Sequence, residues 1–192
     1  MASCVSESAS KLGALSSYKN KQFKSFGHSL RIIHGDGFIK GELVTSPQYT
    51  LISHSTTLFA LNKDGSGLVQ GRSVRSVAGI LNPSLSIDTL PLTEVTNWSG
   101  DFEYNIEKGI VSIFYKPETA HGFIEEGVDK GKRFEEVFIA PPGEPHVVGE
   151  FSKSKQSMLI HTVGAIDRRT IYQDGKERIG SWSQTATAVL VS

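Results

Sequence analysis

Cysteine is all but missing from this 192-residue chain, where Cys4 is the single one. That excludes an internal disulfide framework. A lone thiol in a serine-rich N-terminal stretch also has no fixed neighbours to lower its pKa, which makes it a poor nucleophile. Excess charge of either sign is missing as well, with 20 Lys and Arg against 20 Asp and Glu. Nucleic acid calls for a clustered positive surplus, so that partner class is set aside. Neutrality gives little colloidal repulsion and permits homo-oligomers. No apolar run approaches the ~20 residues that span a bilayer, and no secretory h-region is present. These absences lead to the expectation of a soluble, cytoplasmic protein in which Asn97-Trp98-Ser99 is a chance glycosylation triplet.

Stretches of helical period are also lacking, apart from the N-terminus. Residues 1–26 hold seven serines, four lysines and one acid, Glu7. That composition suits a flexible arm with a short helix around Ser10–Tyr18, and organellar targeting is the sharper alternative, weakened by the absence of arginine. Residues 27–192 are expected to form a single domain.

What is present is a repeated strand–turn grammar. Ile179–Val191 carries no charge and no proline, and reads as a well-buried strand. Asp174-Gly175 before it predicts a hairpin of type I′, in which both central residues need φ > 0. Gly35-Asp36-Gly37 predicts a turn between Ser29–His34 and Phe38–Val44, with Pro47 as a break. Tyr49–Leu61 and Leu68–Ala78 read as partners across a polar loop. Leu81–Asn97, with Pro83 and Pro91, reads as irregular or edge structure. Phe102–Asn105 and Ile110–Tyr115 flank Glu107-Lys108-Gly109, and four further strands precede the terminal hairpin. This regular spacing predicts an all-β fold, an antiparallel closed or nearly closed barrel, with a β-sandwich as the alternative. In Tyr49–Leu61 both faces are apolar at the ends and polar in the middle. An inward polar middle would suit a small cavity, and an outward one would face solvent.

In outline this resembles the calycin and allene-oxide-cyclase type of small barrel, which binds or isomerises apolar molecules. The likeness is architectural. Lipocalins carry Gly-Xaa-Trp in their first strand, whereas Gly180-Ser181-Trp182 lies in the last strand here.

The candidate site residues follow from strand positions. His54 and His161 sit within apolar strands, where modest burial tunes an imidazole for acid–base work near neutral pH. His121 and His146 read as solvated in turns, and His34 sits beside a turn where it too would be solvated. Period two puts Glu135 and Glu136 on opposite faces, so one carboxylate, taken as Glu136, points inward. The same rule separates Arg72 from Arg75, either of which offers a fork to an oxygen of a substrate. Tyr115 and Trp182 are the aromatics expected to shape an interior. No P-loop, calcium loop, zinc spacing, G-x-S-x-G elbow or serine triad is present, so no cofactor or metal is expected.

Two functional readings result. The first is a barrel holding a small, largely apolar organic molecule, with cofactor-free isomerisation or cyclisation by His54 and His161 if it is an enzyme. Arg72, Arg75, Tyr115, Glu136 and Trp182 would line its site. The second is a non-catalytic β-sandwich interaction module presenting the rigid loop Pro141–His146, with both strand histidines at the surface.

Overall fold

The computed structural model describes residues 20–39, 42–86, 88, 90 and 93–191. Cys4 and the Ser10–Tyr18 segment lie outside them. The chain is all-β, a single antiparallel sheet of 11 strands. In order these are β1 (Lys21–Ile39), β2 (Glu42–Leu61), β3 (Ser66–Ile80), β4 (Thr93–Glu107), β5 (Ile110–Tyr115), β6 (Ala120–Glu126), β7 (Arg133–Ile139), β8 (Val147–Phe151), β9 (Ser157–Thr162), β10 (Ile166–Tyr172) and β11 (Glu177–Val191). Among the described residues no helix is long and apolar enough to cross a membrane.

Two strands have three neighbours each. β4 lies beside β3 on one side, and on the other pairs first with β6 through Val95–Ser99 and then with β5 through Phe102–Glu107. β11 lies beside β1, and on its other side pairs first with β10 through Glu177–Trp182 and then with β9 through Thr185–Val189. The long strands β1, β2 and β3 run the length of the molecule. The trio β5–β8–β9 closes one half of it and β6–β7–β10 the other. A ring of hydrogen bonds therefore passes through 8 strands, giving a barrel-like body.

Alternation sorts the side chains. The inward row of β2 is Tyr49, Leu51, Ser53, Ser55, Thr57, Phe59 and Leu61, so the polar middle of this strand faces the interior side of the sheet. Across β1 it meets Ser29, Gly27 and Ser25 in register, where the Ser25 and Thr57 hydroxyls bond to each other. In the β5–β8–β9 half the inward residues are apolar: Phe23, Phe59, Val69, Phe102, Val111, Ile113, Val147, Met158 and Ile160 form one core. Each such side chain contributes about 1.5–3 kcal/mol when fully buried.

Several local expectations are corrected. Gly35-Asp36-Gly37 is not a turn: β1 continues through it, opposite Ser46, Thr45 and Val44. Pro47 sits inside β2, facing His34 beside a register shift at Ile33/His34. It is tolerated because β3 pairs with β2 only from Tyr49 onward, which leaves Pro47 on an edge where no second N–H is needed. Lys21–Phe26, grouped with the arm, stand in β1, and Phe23 there is fully buried. Thr93–Asn97, read as irregular, open β4.

The Asp174-Gly175 hairpin exists, but only Gly175 has positive φ, at 82°. The Gly175 N–H bonds the Tyr172 carbonyl at 2.9 Å and the Tyr172 N–H bonds the Lys176 carbonyl at 2.8 Å. This is the three-residue loop with one left-handed glycine, not type I′. Lys108 and Gly109, at 52° and 83°, are the pair that both adopt positive φ.

Candidate functional site

In the half closed by β6–β7–β10 six inward positions are charged, beside two small apolar clusters, one of Ile124, Phe134 and Tyr172 and one of Ile33, Tyr49, Leu51 and Leu90. Arg31 on β1, Arg75 on β3, Glu94 on β4, Glu136 on β7 and Arg168 on β10 are all buried, and the Arg178 side chain of β11 is 10% exposed. Glu136 is the hub. Arg168 grips it as a fork, Nε to Oε2 and Nη2 to Oε1, both at 2.9 Å. Arg75 Nη2 reaches Oε1 at 3.2 Å, and the Thr170 hydroxyl lies at 3.0 and 3.1 Å from the two oxygens. That hydroxyl also accepts from Arg31 Nη1 at 2.7 Å, so Thr170 relays Arg31 to the carboxylate. Glu94 is held the same way by Arg178, at 3.0 and 3.2 Å.

Burial acts on Glu136 to raise its pKa. The charges of Arg168 and Arg75, the Arg168 hydrogen bonds and Arg31 outweigh it and hold the carboxyl at about 2. Burial is the largest influence on Arg31 and lowers its pKa to about 9, against the attraction of Glu136. Burial also lowers Arg75, with Arg168 next in effect. On Arg178 burial is outweighed by the bonds to Glu94, and its pKa rises. Four guanidiniums share the space with two carboxylates, so two positive charges are uncompensated among these residues. Holding an unpaired ion away from water costs several kcal/mol, which makes this layer chemically unusual.

An aromatic layer separates the charged half from the apolar one. Tyr115 stacks on Phe138 with centroids 4.5 Å apart, and Phe138 lies 5.3 Å from Trp182 and 6.5 Å from Trp98. The Arg168 guanidinium carbon stands 5.1 Å from the Phe138 ring and 5.4 Å from Trp182, a cation–π arrangement. Burial pushes the Tyr115 phenol up. His146 belongs to this layer instead of to solvent. Its Nδ1 accepts from the Tyr115 N–H at 3.2 Å, which leaves Nε2 as the donor to the Phe138 carbonyl at 3.1 Å. Burial lowers its pKa, partly opposed by that carbonyl.

The structure brings Arg75, Glu136, Tyr115 and Trp182 to the interior, the first two in contact and the last two through Phe138. Arg72 is elsewhere, on the outer face, paired with Glu125 at 2.9 Å. His54 and His161 are also outward. His54 is exposed opposite His28, and His161 is half-buried beside the exposed Leu159 and Val163. Neither histidine meets Glu136. The unforeseen members are Arg31, Glu94, Arg168, Thr170 and Arg178. For Arg168 and Thr170 the signal was present: alternation in β10 puts them in phase with Ile166 and Tyr172.

A second feature lies in the wall. Gly71 of β3 and Gly122 of β6 flank Trp98 of β4 in register. An open cleft of about 600 Å³ lies there, lined by Trp98, Phe123, Leu58, Lys24, Arg72 and His121 among others. A Cβ on Gly71 would come 2.6 Å from Trp98 Nε1 and 2.8 Å from the Thr57 methyl. No protein-family model matches the chain, and no curated protein matches its sequence.

Proposed function

We propose that this chain binds a small, largely apolar organic molecule in the cleft over Trp98. The observation that carries the reading is the cleft itself. Its size is that of ordinary small-molecule sites. Gly71 and Gly122 stand beside Trp98 without side chains, and the apolar side chains Leu58 and Phe123 lie among polar groups that can orient a ligand: Lys24, Arg72, Asn97 and His121. Trp98 in turn packs against the cores of both halves and against Phe138. Occupancy of the cleft would therefore be felt in the interior.

Catalysis by His54 and His161 draws no support from their outward placement. Should proton transfer occur on a bound molecule, His121 is the imidazole that lines the cleft. The outward histidines favour the second reading, an interaction module, on that single point.

The test is binding of an uncharged apolar probe, N-phenyl-1-naphthylamine, followed by its own emission and by quenching of Trp98. Wild type is expected to bind saturably, and Gly71→Val to bind at least about tenfold more weakly, because a Cβ there would come 2.6 Å from Trp98 Nε1 and force the indole that lines the cleft to shift. Circular dichroism establishes that the variant still folds. Undiminished binding by a folded Gly71→Val would rule the cleft out and shift weight to the interaction module.

A further inference from the structure

Among the described residues five buried side-chain atoms lack hydrogen-bond partners: Arg31 Nε, Trp182 Nε1, His34 Nδ1 and the hydroxyls of Thr96 and Tyr172; the two N–H groups, Arg31 Nε and Trp182 Nε1, stand on paired residues. Arg31 is 4% exposed and Trp182 3%. They are direct cross-strand partners between β1 and β11, both on the inward face. Directly opposed residues of an antiparallel pair have Cβ atoms ~4.5–5.5 Å apart, so the two side chains are neighbours. The remaining Arg31 bonds go to the Thr170 hydroxyl at 2.7 Å, the Arg168 carbonyl at 2.6 Å and the Arg178 carbonyl. None of them goes to a carboxylate. The Arg168 guanidinium stands 5.4 Å from the Trp182 ring centroid. Ser29 stands two positions before Arg31 on the same face, opposite Ser53 and Gln184.

Two buried N–H groups without acceptors, on directly opposed residues, call for an acceptor, since a buried unpaired donor is costly. The two uncompensated positive charges in this layer select an anion over a neutral group. We propose that Arg31 and Trp182 together hold a small monoanion, a carboxylate group or a halide, between Arg31 Nε–H and Trp182 Nε1–H. One of the two surplus charges is thereby neutralised, and both orphan donors are satisfied. This site is separate from the Trp98 cleft and does not rest on that reading. Lowering of the Arg31 pKa by burial agrees with a cation lacking its own counterion.

The experiment uses the whole chain exchanged into sodium gluconate, a strongly hydrated polyhydroxy anion, as the reference salt. Thermal midpoints are then followed as sodium bromide, acetate or octanoate replaces gluconate at constant ionic strength. A saturable rise with bromide and acetate identifies a free small anion as the occupant. A rise with octanoate alone identifies the acidic end of a larger ligand. Either result supports the site. Trp182→Phe keeps an aromatic side chain and removes one donor, and is expected to raise the half-saturating concentration about tenfold, the loss of one charge-assisted hydrogen bond. Arg31→Lys should raise it similarly; where it fails to fold, Trp182→Phe keeps the test intact. Crystals soaked in bromide should show an anomalous peak within hydrogen-bond reach of both nitrogens. Equal midpoints in every salt would mean that water satisfies the donors, and would overturn the proposal. So would an unchanged half-saturation in Trp182→Phe, or a bromide peak elsewhere, which marks an adventitious ion only.

Discussion

Glu136→Gln is expected to destabilise the fold by about 3–5 kcal/mol, the range for removing one partner of a buried ion pair. The replacement has the same shape and still fills the space, so no cavity contributes. What changes is charge: Arg168 loses both forked bonds to a carboxylate, Arg75 loses its bond, and Arg31 loses the charge relayed through Thr170. A layer that already holds more guanidiniums than carboxylates becomes still more positive. Urea unfolding followed by tryptophan emission measures the effect. Adding Arg168→Met to Glu136→Gln should recover part of the loss, because that pair of changes removes a stranded cation along with its partner. A loss below about 1 kcal/mol would mean that water reaches these groups and that the layer is not dry.

The second large effect is an acid limb in stability. The Glu136 carboxyl sits at about 2 in the folded chain against an ordinary value of 4.5. Its folded pKa is depressed, so the stabilisation is present above pH 4.5 and is lost as pH falls from there toward about 2. The span amounts to about 3 kcal/mol at ~1.4 kcal/mol per pH unit. Arg31 adds nothing to this limb, since its pKa of about 9 leaves it charged in both folded and unfolded chains at acid pH. Denaturant midpoints at pH 6, 4.5, 3.5 and 2.5 give the curve. The same series on Glu136→Gln should be much flatter. If the two curves ran parallel, the acid sensitivity would belong to other carboxylates.

These predictions involve residues the sequence revealed unevenly. The strands were legible because period-two alternation and turn residues are local properties: β5, β8 and β9 fall close to where hydrophobicity places them. Glu136 and Arg75 are legible because each faces opposite to a charged neighbour in its own strand, Glu135 or Arg72, although alternation alone leaves Arg72 as eligible as Arg75. Arg31, Glu94 and Arg178 were not, since each stands among residues that read equally well from either face. Turns were less secure than strands. Gly35-Asp36-Gly37 carries turn residues, yet a strand that stays paired along β2 overrides that preference. The three-neighbour strands were beyond reach, because the same residues of β4 and β11 would look no different with two neighbours. Where the histidines point was set by those distant pairings. His54 and His161 lie in apolar strands, yet both belong to the outward set of an alternation whose phase only closure decides.

That doubled pairing of β4 and β11 has a consequence for how the molecule comes together. Up to β10 the pairings form three arms radiating from β4: β3–β2–β1, β5–β8–β9 and β6–β7–β10. Each arm ends in an open strand edge, at β1, β9 and β10, and open edges recruit other chains. All three edges are sealed by the same 15-residue strand, β11. Closure is therefore a single late event of high contact order, slow compared with the hairpins that precede it. A chain lacking Glu177–Val191 would carry three sticky edges at once, and the missing strand supplied as a free peptide would be a natural donor to complement them.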